Sequence, residues 1–198
     1  NKYEVVVAYG ESSNIDPRYV EKKGFKVCFV SMTRGGTNFF EEVKTIYSIW
    51  QLFKKERPKI VHLITIKPYL YGGIIARLTN VPVVISAIAG LGTLFIQQDL
   101  KTKFLRAILY PIYRLAFGHS NQRLIVQNKS DKKTLISWGV TNSKKFFLIK
   151  GSGVNLEKFT QLDEVVSIPT ICFAGRLIKE KGVYEFVSAA RYLIKKGI

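Results

Sequence analysis

Short apolar runs alternate along the chain with amphipathic segments of helical length, and no other sequence feature restricts the fold as much. The runs predict seven strands, over residues 3–8, 26–30, 59–64, 81–87, 123–127, 146–149 and 170–174. Strands that are apolar nearly throughout are expected to be buried on both faces, as in a parallel sheet covered by helices. The order therefore predicts an α/β protein with a Rossmann-like sheet.

Five helices are predicted between and after these strands. The first begins at Asn38, which has Glu41 three positions later as in a capping box, and ends at Pro58. One face of this helix is predicted to carry Val43, Ile46, Trp50 and Phe53. The other helices are expected over residues 71–78, 100–117, 130–138 and 182–196, and Pro111 is expected to kink or break the third helix.

The length of 198 residues, 47% of them hydrophobic, suffices for one complete domain but leaves a second one cramped. A polar stretch that ends at Pro169 separates two strand–helix patterns. We therefore expect an acceptor-binding domain over 1–165 and the first strand and helix of another domain over 166–198. Because one strand and one helix cannot bury their apolar faces alone, the chain is expected to be a fragment or to be completed by a partner.

The cysteines and histidines do not suggest a metal site. Cys28 and Cys172 each lie in an apolar strand-like run, so we expect both to be buried and reduced. His62 and His119 are the only histidines in the sequence, and neither lies near a cysteine or a carboxylate pair at ligand spacing. A protein-held metal ion is therefore not expected.

The charge and the length of the apolar runs restrict the partners and the location. All the apolar runs are shorter than the roughly 20 residues that a membrane-spanning helix needs, and the first residues lack the parts of a signal peptide. A cytosolic location is therefore expected. The net charge of +17 favours a polyanionic partner such as nucleic acid, anionic lipid or a sugar diphosphate.

Ligands of open parallel sheets bind at the carboxyl ends of the strands, and several of those loops carry glycines and cations. The candidates for an acceptor cleft are Arg34, Gly35, Gly36, Asn38, Lys67, Gly90, Gly92, Asn128, Gly151 and Gly153. For the Arg34 and Gly151 loops, a simple tight turn is the alternative. The Gly90 loop begins like a dinucleotide fingerprint but has Phe95 in place of the third glycine, so a nicotinamide site is not expected.

The most specific segment runs from Phe173 to Gly182. Gly175 and Arg176 form a corner after the seventh predicted strand, and Lys181 immediately precedes the last helix. An arginine fork, a lysine charge and a helix N-terminus in one place suit a diphosphate.

These segments resemble the family 4 glycosyltransferases, which have a GT-B fold, and the resemblance covers nearly the whole chain. FAGRLIKEKGVYEFVSAARYL is similar to their donor-side motif, and RPKIVHLITIKPYLYGGIIARLTNVPVVISAIAGLGTLF to the middle of their acceptor domain. LIVQNKSDKKTLISWGV and IKGSGVNLEKF are similar to the segments that come next. The resemblance is strongest to the bacterial branch that builds polyprenyl-diphosphate-linked surface polysaccharides and glycans.

The resemblance implies transfer of a sugar, with retention, from a nucleoside diphosphate sugar, with UDP expected, to a lipid-linked saccharide. Arg176 and Lys181 would hold the donor diphosphate, Gly175 would allow its close approach, and Glu185 is expected to be a surface carboxylate. No Asp-x-Asp occurs in the sequence, which agrees with a reaction in which these cations replace a divalent metal ion. No cofactor is therefore expected.

Three departures from the family limit what the resemblance implies. The chain opens on what looks like the family's second strand, and it ends before the two-glutamate motif for the donor sugar. Many members carry a histidine near the position of Ala87 to Gly90, where this sequence has none. No catalytic residue is assigned, and the piece by itself is expected to be inactive.

The third predicted helix has a basic face that suits an anionic membrane surface. That face is predicted to carry Lys103, Arg106, Tyr110 and Arg114, and the opposite face Phe104, Leu105, Ile108, Leu109, Ile112 and Leu115. Between residues 101 and 150, eleven lysines and arginines accompany one acidic residue, Asp131. We expect peripheral binding at the inner face of the cell membrane; the alternative is a core-facing helix with a solvated basic side.

Three other functions stay open. A nucleic-acid-binding module would suit the charge, but the basic residues are spread over many elements and no nucleic-acid-reading motif occurs. A nucleotide-sugar 2-epimerase-like enzyme would share the phosphate site but need more histidines and carboxylates. A non-catalytic scaffold fragment would suit the missing ends.

Overall fold

The computed structural model describes residues 3–11, 16–33, 38–92, 95, 99–151, 153–161 and 170–197. They fall into two compact units, Asn1–Gly153 and Val154–Ile198. Residues 162–169 of the predicted domain boundary lie outside the described residues.

Strands and helices alternate through the first unit, as the sequence predicts. They are β1 Val6–Tyr9, α1 Pro17–Glu21, β2 Lys26–Phe29, α2 Phe39–Glu56, β3 Ile60–Ile64, a π-helical turn Pro68–Gly72, α3 Gly73–Leu78, β4 Val83–Ile88, α4 Leu100–Phe117, β5 Gln122–Val126, α5 Lys129–Ser137, a 3-10 turn Ser143–Lys145 and β6 Phe146–Leu148. The helix α1 was not among the predicted elements, although Asp16 caps its N-terminus and Pro17 opens it.

Every paired strand of the first unit is parallel to its neighbour. The strands form a two-stranded sheet, β1-β2, and a four-stranded sheet, β3-β4-β5-β6. Helices connect the parallel strands, because a parallel pair requires a long crossover. This arrangement confirms the predicted α/β, Rossmann-like class of fold.

The two faces of the four-stranded sheet differ in burial. On the inner face, Val61 of β3, its register partner Val84 of β4 and Leu124 of β5 are buried. On the outer face Ile60, Ile64 and Phe147 are exposed. The expectation that the strands are buried on both faces is therefore wrong for this sheet within the described residues, where the helices pack on the inner face.

An aromatic cluster joins the helices to the inner face of the sheet. Tyr69 of the π-helical turn lies with its ring centroid 5.6 Å from that of Phe117 and 6.1 Å from that of Tyr113, both in α4. All three side chains are buried. Gly73 permits this approach, because a Cβ atom there would lie 2.7 Å from the carbonyl oxygen of Ala116.

The helix α4 differs from its prediction in two ways. It runs through Pro111 without a break. Pro111 and Ala107, whose carbonyl loses its hydrogen-bond donor, are both exposed, so water can satisfy that carbonyl. The face predicted to be apolar is also divided: Phe104, Leu105, Ile108 and Leu115 are exposed, whereas the predicted basic face includes the half-buried Arg106 and Tyr110.

The side of α2 that faces the core also differs from the predicted one. Its buried residues are Thr45, Ile49 and Phe53, whereas Val43 and Trp50 are exposed. The helix has apolar residues on two sides, and periodicity alone does not say which side contacts the sheet.

Among its described residues, the second unit contains a 3-10 turn, Lys179–Lys181, and the helix α6, Val183–Lys195. Residues 170–174 form no strand, contrary to the prediction, since no strand among the described residues pairs with them. Cys172 is accordingly exposed and not buried as predicted, and Cys28 is half-buried. Phe173 packs against Phe186 of α6, with ring centroids 5.4 Å apart.

Two cations satisfy carbonyl groups at the C-terminal end of α4. The Lys145 ammonium donates to the carbonyl oxygens of His119, at 2.8 Å, and Phe117, at 3.3 Å. The Arg77 guanidinium donates to the carbonyl oxygen of Leu115. Cations near a helix C-terminus are stabilising because the helix dipole places negative partial charge there.

We expect Lys145→Met to lower the free energy of unfolding by about 2 kcal/mol, because two carbonyl groups lose a charged donor. The neighbouring Lys144 is exposed, so Lys144→Met should change the free energy of unfolding by less than about 0.5 kcal/mol. Urea denaturation of both variants checks this, and equal effects would contradict the capping role of Lys145.

Candidate functional site

The loops at the carboxyl ends of β1 and β2 contact each other. The backbone N–H of Glu11 donates to the carbonyl oxygen of Met32, at 3.1 Å. A Cβ atom at Gly10 would lie 2.6 Å from the same oxygen, so only glycine fits there. These loops form one side of the edge where a ligand of a parallel sheet is expected.

A three-residue polar network joins α2, the helix that follows β2, to the loop at the carboxyl end of β3. The Lys67 ammonium donates to Glu42 Oε1 at 2.5 Å, and the Tyr71 hydroxyl donates to Glu42 Oε2 at 2.6 Å. About 20% of each of the Lys67 and Glu42 side chains is exposed. Lys67 was predicted for this site; Glu42 and Tyr71 were not, because their apposition depends on the packing of two separate elements.

The backbone of the loop after β3 has two unusual conformations. Thr65 has a φ angle of +73°, which a β-branched residue rarely adopts. The π-helical turn Pro68–Gly72 follows directly. Strained residues and π-helical turns both concentrate at functional sites, so the two observations agree with a role for the Lys67 network in binding.

The network shifts the pKa values of its members. Burial by itself would raise the pKa of Glu42, but the hydrogen bonds from Lys67 and Tyr71 outweigh it and lower that pKa below the ordinary value. Burial, together with the bond to Glu42, raises the pKa of the Tyr71 hydroxyl. Glu42 is therefore ionised near neutral pH and Tyr71 is not.

We expect Glu42→Gln to lower the free energy of unfolding by about 2 kcal/mol at pH 7. The neutral amide cannot replace the carboxylate charge that strengthens the hydrogen bonds from Lys67 and Tyr71. The ionised carboxylate contributes stability above its ordinary pKa of 4.5, and this contribution is lost as the pH falls through the lower folded-state pKa. The difference between the native protein and the variant should therefore shrink in acid.

Denaturation between pH 7 and pH 3 measures that difference. Glu41→Gln is the matched control, because Glu41 is exposed and precedes Glu42 on the same helix. A difference that stays constant with pH would show that the carboxylate charge does not matter.

The other predicted cleft residues have identifiable local roles. Asn38 caps α2 and Asn128 caps α5, and the Asn128 side chain contacts both the backbone N–H and the carboxylate of Asp131. Gly90 and Gly92 have positive φ angles on either side of Leu91, which is buried in the core. The buried Leu91 therefore anchors a loop whose two glycines face open space.

The remaining cleft candidates are of two kinds. Gly151 and Gly153 have φ angles of +62° and +67°, and neither would bring a Cβ atom within 4 Å of other groups. Arg34, Gly35 and Gly36 lie outside the described residues.

The predicted diphosphate segment lies in the second unit. Gly175, Arg176 and Lys181 are exposed. Gly182, with a φ angle of +78°, begins α6 without a side-chain hydrogen bond to the helix. The start of α6 therefore combines two cations nearby in sequence with backbone N–H groups that no capping side chain occupies, and this combination suits an anion.

Neither histidine belongs to a polar cluster at these loops. His119 is buried before β5, where its Nε2 donates to the carbonyl oxygen of Val81 and its Nδ1 accepts from the backbone N–H of Asn121. His62 is exposed on the outer face of β3. Within the described residues, no three side chains of histidine, cysteine, aspartate or glutamate come together as a metal site.

The fold and the site together define a Rossmann-like α/β protein whose polar loops lie at the carboxyl edge of its sheet. The family model described as "Glycosyl transferase 4-like" matches residues 1–128. The chain belongs to this family, which confirms the resemblance found in the sequence.

Three characterised bacterial proteins are similar to the chain. An N,N'-diacetylbacillosaminyl-diphospho-undecaprenol alpha-1,3-N-acetylgalactosaminyltransferase of Campylobacter jejuni is 24% identical over 88% of this chain and 49% of its own length. A UDP-Gal:alpha-D-GlcNAc-diphosphoundecaprenol alpha-1,3-galactosyltransferase of Escherichia coli is 27% identical over 86% and 45%. The capsular polysaccharide biosynthesis glycosyltransferase CapM of Staphylococcus aureus is 26% identical over 80% and 43%. The chain thus spans about half the length of these relatives.

Proposed function

We propose that the protein transfers a sugar, with retention, from a UDP-sugar to a saccharide linked to polyprenyl diphosphate, in the synthesis of a surface polysaccharide or glycan. The relatives in Campylobacter jejuni and Escherichia coli are named for sugar transfer to a diphospho-undecaprenol-linked saccharide. Residues 1–165 would bind this acceptor, and residues 166–198 would begin the donor domain.

The observation that carries the proposal is the start of α6. Arg176 and Lys181 are exposed, and they precede a helix N-terminus that has no side-chain cap. A departing nucleoside diphosphate gains negative charge in the transition state, and cations already in position stabilise that charge. Arg176 and Lys181 take this role in the proposed reaction, with Gly175 allowing the diphosphate to approach the backbone.

We expect Arg176→Ala to weaken binding of one nucleotide, UDP, by at least roughly tenfold, because a bidentate charge-assisted contact is lost. Calorimetric titration measures the affinity for UDP, UDP-sugars and GDP. The titrated protein is the product of the complete reading frame, in the presence of a chelator. Arg191→Ala is the matched control, because Arg191 is an exposed arginine of α6 in the third turn. An absence of binding to every nucleotide would overturn the diphosphate site.

The acceptor is proposed to bind at the carboxyl edge of the first unit. The Lys67–Glu42–Tyr71 network and the loops containing Gly90 and Gly92 lie there. The glycines leave space for a saccharide beside the backbone, and the network holds polar groups in a defined position.

The helix α4 is proposed to hold the protein peripherally at the inner face of the cell membrane. None of the described helices combines the length and the apolar character that crossing a bilayer requires. The exposed residues of α4 form an apolar stripe, Leu100, Phe104, Ile108 and Leu115, with Lys101, Lys103 and Arg114 also exposed. This combination is typical of helices that lie in the plane of an anionic membrane surface.

We expect Lys103→Gln combined with Arg114→Gln to weaken binding to anionic vesicles roughly thirtyfold, at about 1 kcal/mol for each cation near the surface. The control removes the same charge at two exposed lysines elsewhere, Lys22→Gln with Lys23→Gln. Sedimentation with vesicles at low salt measures both. Native protein that stays in solution would refute the membrane location.

A further inference from the structure

An aromatic stripe runs along the solvent side of α2. Among the described residues, the side chains of this stripe are not part of the buried core. The stripe consists of Phe39, Phe40, Val43, Tyr47 and Trp50, all exposed. Phe39 and Phe40 lie edge to face, and Tyr47 stacks on Trp50 with ring centroids 5.9 Å apart. The other side of the helix, with Ile49 and Phe53, packs into the core. The stripe is therefore additional to the side that folding buries.

Lysines accompany this stripe, whereas the carboxylates of α2 have other partners. The Lys54 ammonium lies 5.9 Å from the centroid of the Trp50 ring, and Lys44 is also exposed. The carboxylates of Glu42 and Glu56 are instead bonded to Lys67 and Lys26. The third carboxylate of α2, Glu41, is exposed and accepts a hydrogen bond from the Thr33 hydroxyl, so the stripe itself is aromatic, with Lys44 and Lys54 as its exposed cations.

The apolar surface continues from α2 onto the neighbouring strand. Trp50 and Lys54 line a groove of about 800 Å³ together with Val27 and Phe29 of β2. A continuous apolar surface of this kind indicates an interaction site.

The composition of the stripe favours a bilayer over a protein partner. Aromatic residues are enriched both in protein interfaces and in the headgroup region, but lysine is depleted from protein interfaces, so the lysines beside the stripe favour the bilayer. Helices that lie in that region have aromatic and aliphatic residues on one face and lysines beside them. The 18 residues of α2 span about 27 Å, which allows contact along several lipids.

We propose that α2 is a second membrane contact, with Phe39, Phe40, Tyr47 and Trp50 in the headgroup region of an anionic bilayer. The inference rests on the proposed membrane location and adds to α4 a contact that adjoins the acceptor edge. The aromatic end of α2 lies beside Glu42, which is bonded to Lys67. Membrane contact through α2 therefore holds the acceptor loops at the bilayer surface, where a lipid-linked saccharide is presented.

The test uses Trp50 as a reporter in the product of the complete reading frame. Trp50 and Trp138 are the two tryptophans of the chain, and Trp138 packs among Phe95, Tyr110 and Tyr113. When Trp138 and every tryptophan outside these 198 residues are replaced by phenylalanine, vesicles of phosphatidylglycerol should shift the Trp50 emission to shorter wavelength, and lipids brominated near the headgroup should quench it. Trp50 that is already shielded from iodide without vesicles is covered by protein and would overturn the proposal.

A second measurement does not depend on Trp138→Phe folding. Phe40→Ser combined with Tyr47→Ser should weaken sedimentation with the same vesicles by at least roughly tenfold. Tyr19→Ser is the matched control, because Tyr19 is exposed and lies under Lys23 as Trp50 lies under Lys54.

The outcomes separate this inference from the proposed function. If the native protein sediments but Trp50 neither shifts nor is quenched, and the α2 variant sediments equally, α2 is not a contact and membrane binding through α4 stands. If nothing sediments, both membrane contacts fall. Transfer to an acceptor with a short, water-soluble chain then shows whether the glycosyltransferase function survives.

Discussion

The packing of Tyr69 against Tyr113 and Phe117 positions the Lys67–Glu42–Tyr71 network. Tyr69 belongs to the π-helical turn, so its burial holds the residues on either side of it, Lys67 and Tyr71, where they can bond to Glu42. Burial raises the pKa of the Tyr69 hydroxyl, which contacts the Tyr113 hydroxyl in the core. An aromatic contact in the core thus positions a polar network at the edge of the sheet.

Two helices of the layer on the inner face have an apolar side beyond the one that the core uses. In α2 the extra side is aromatic, and in α4 it is mainly aliphatic, with exposed cations near both. A helix that only covers a sheet needs one apolar side, with polar residues opposite. The proposed membrane contacts rest on this doubling, because helices that lie at a membrane surface expose an apolar side with cations beside it.

The elements of the fold were largely predictable, and so was part of the site. Six of the seven predicted strands form where the apolar runs place them, because a run of β-branched and aromatic residues between turns has few other stable conformations. The segment 170–174 has the same composition but no strand, since pairing requires a neighbour that composition does not supply. Lys67 was a candidate from its place after β3, whereas its contacts with Glu42 and Tyr71 depend on the packing of two elements that are far apart in sequence.

The sequence by itself determined the class of fold, most of the order of elements and the family, since all three depend on local patterns and their spacing. Only the tertiary structure decided which side of α2 and α4 faces the core, because each helix has apolar residues on two sides and periodicity does not rank them. It also decided that Lys67 is bonded to a carboxylate and a tyrosine. Both decisions depend on contacts between residues far apart in sequence, which local patterns do not encode.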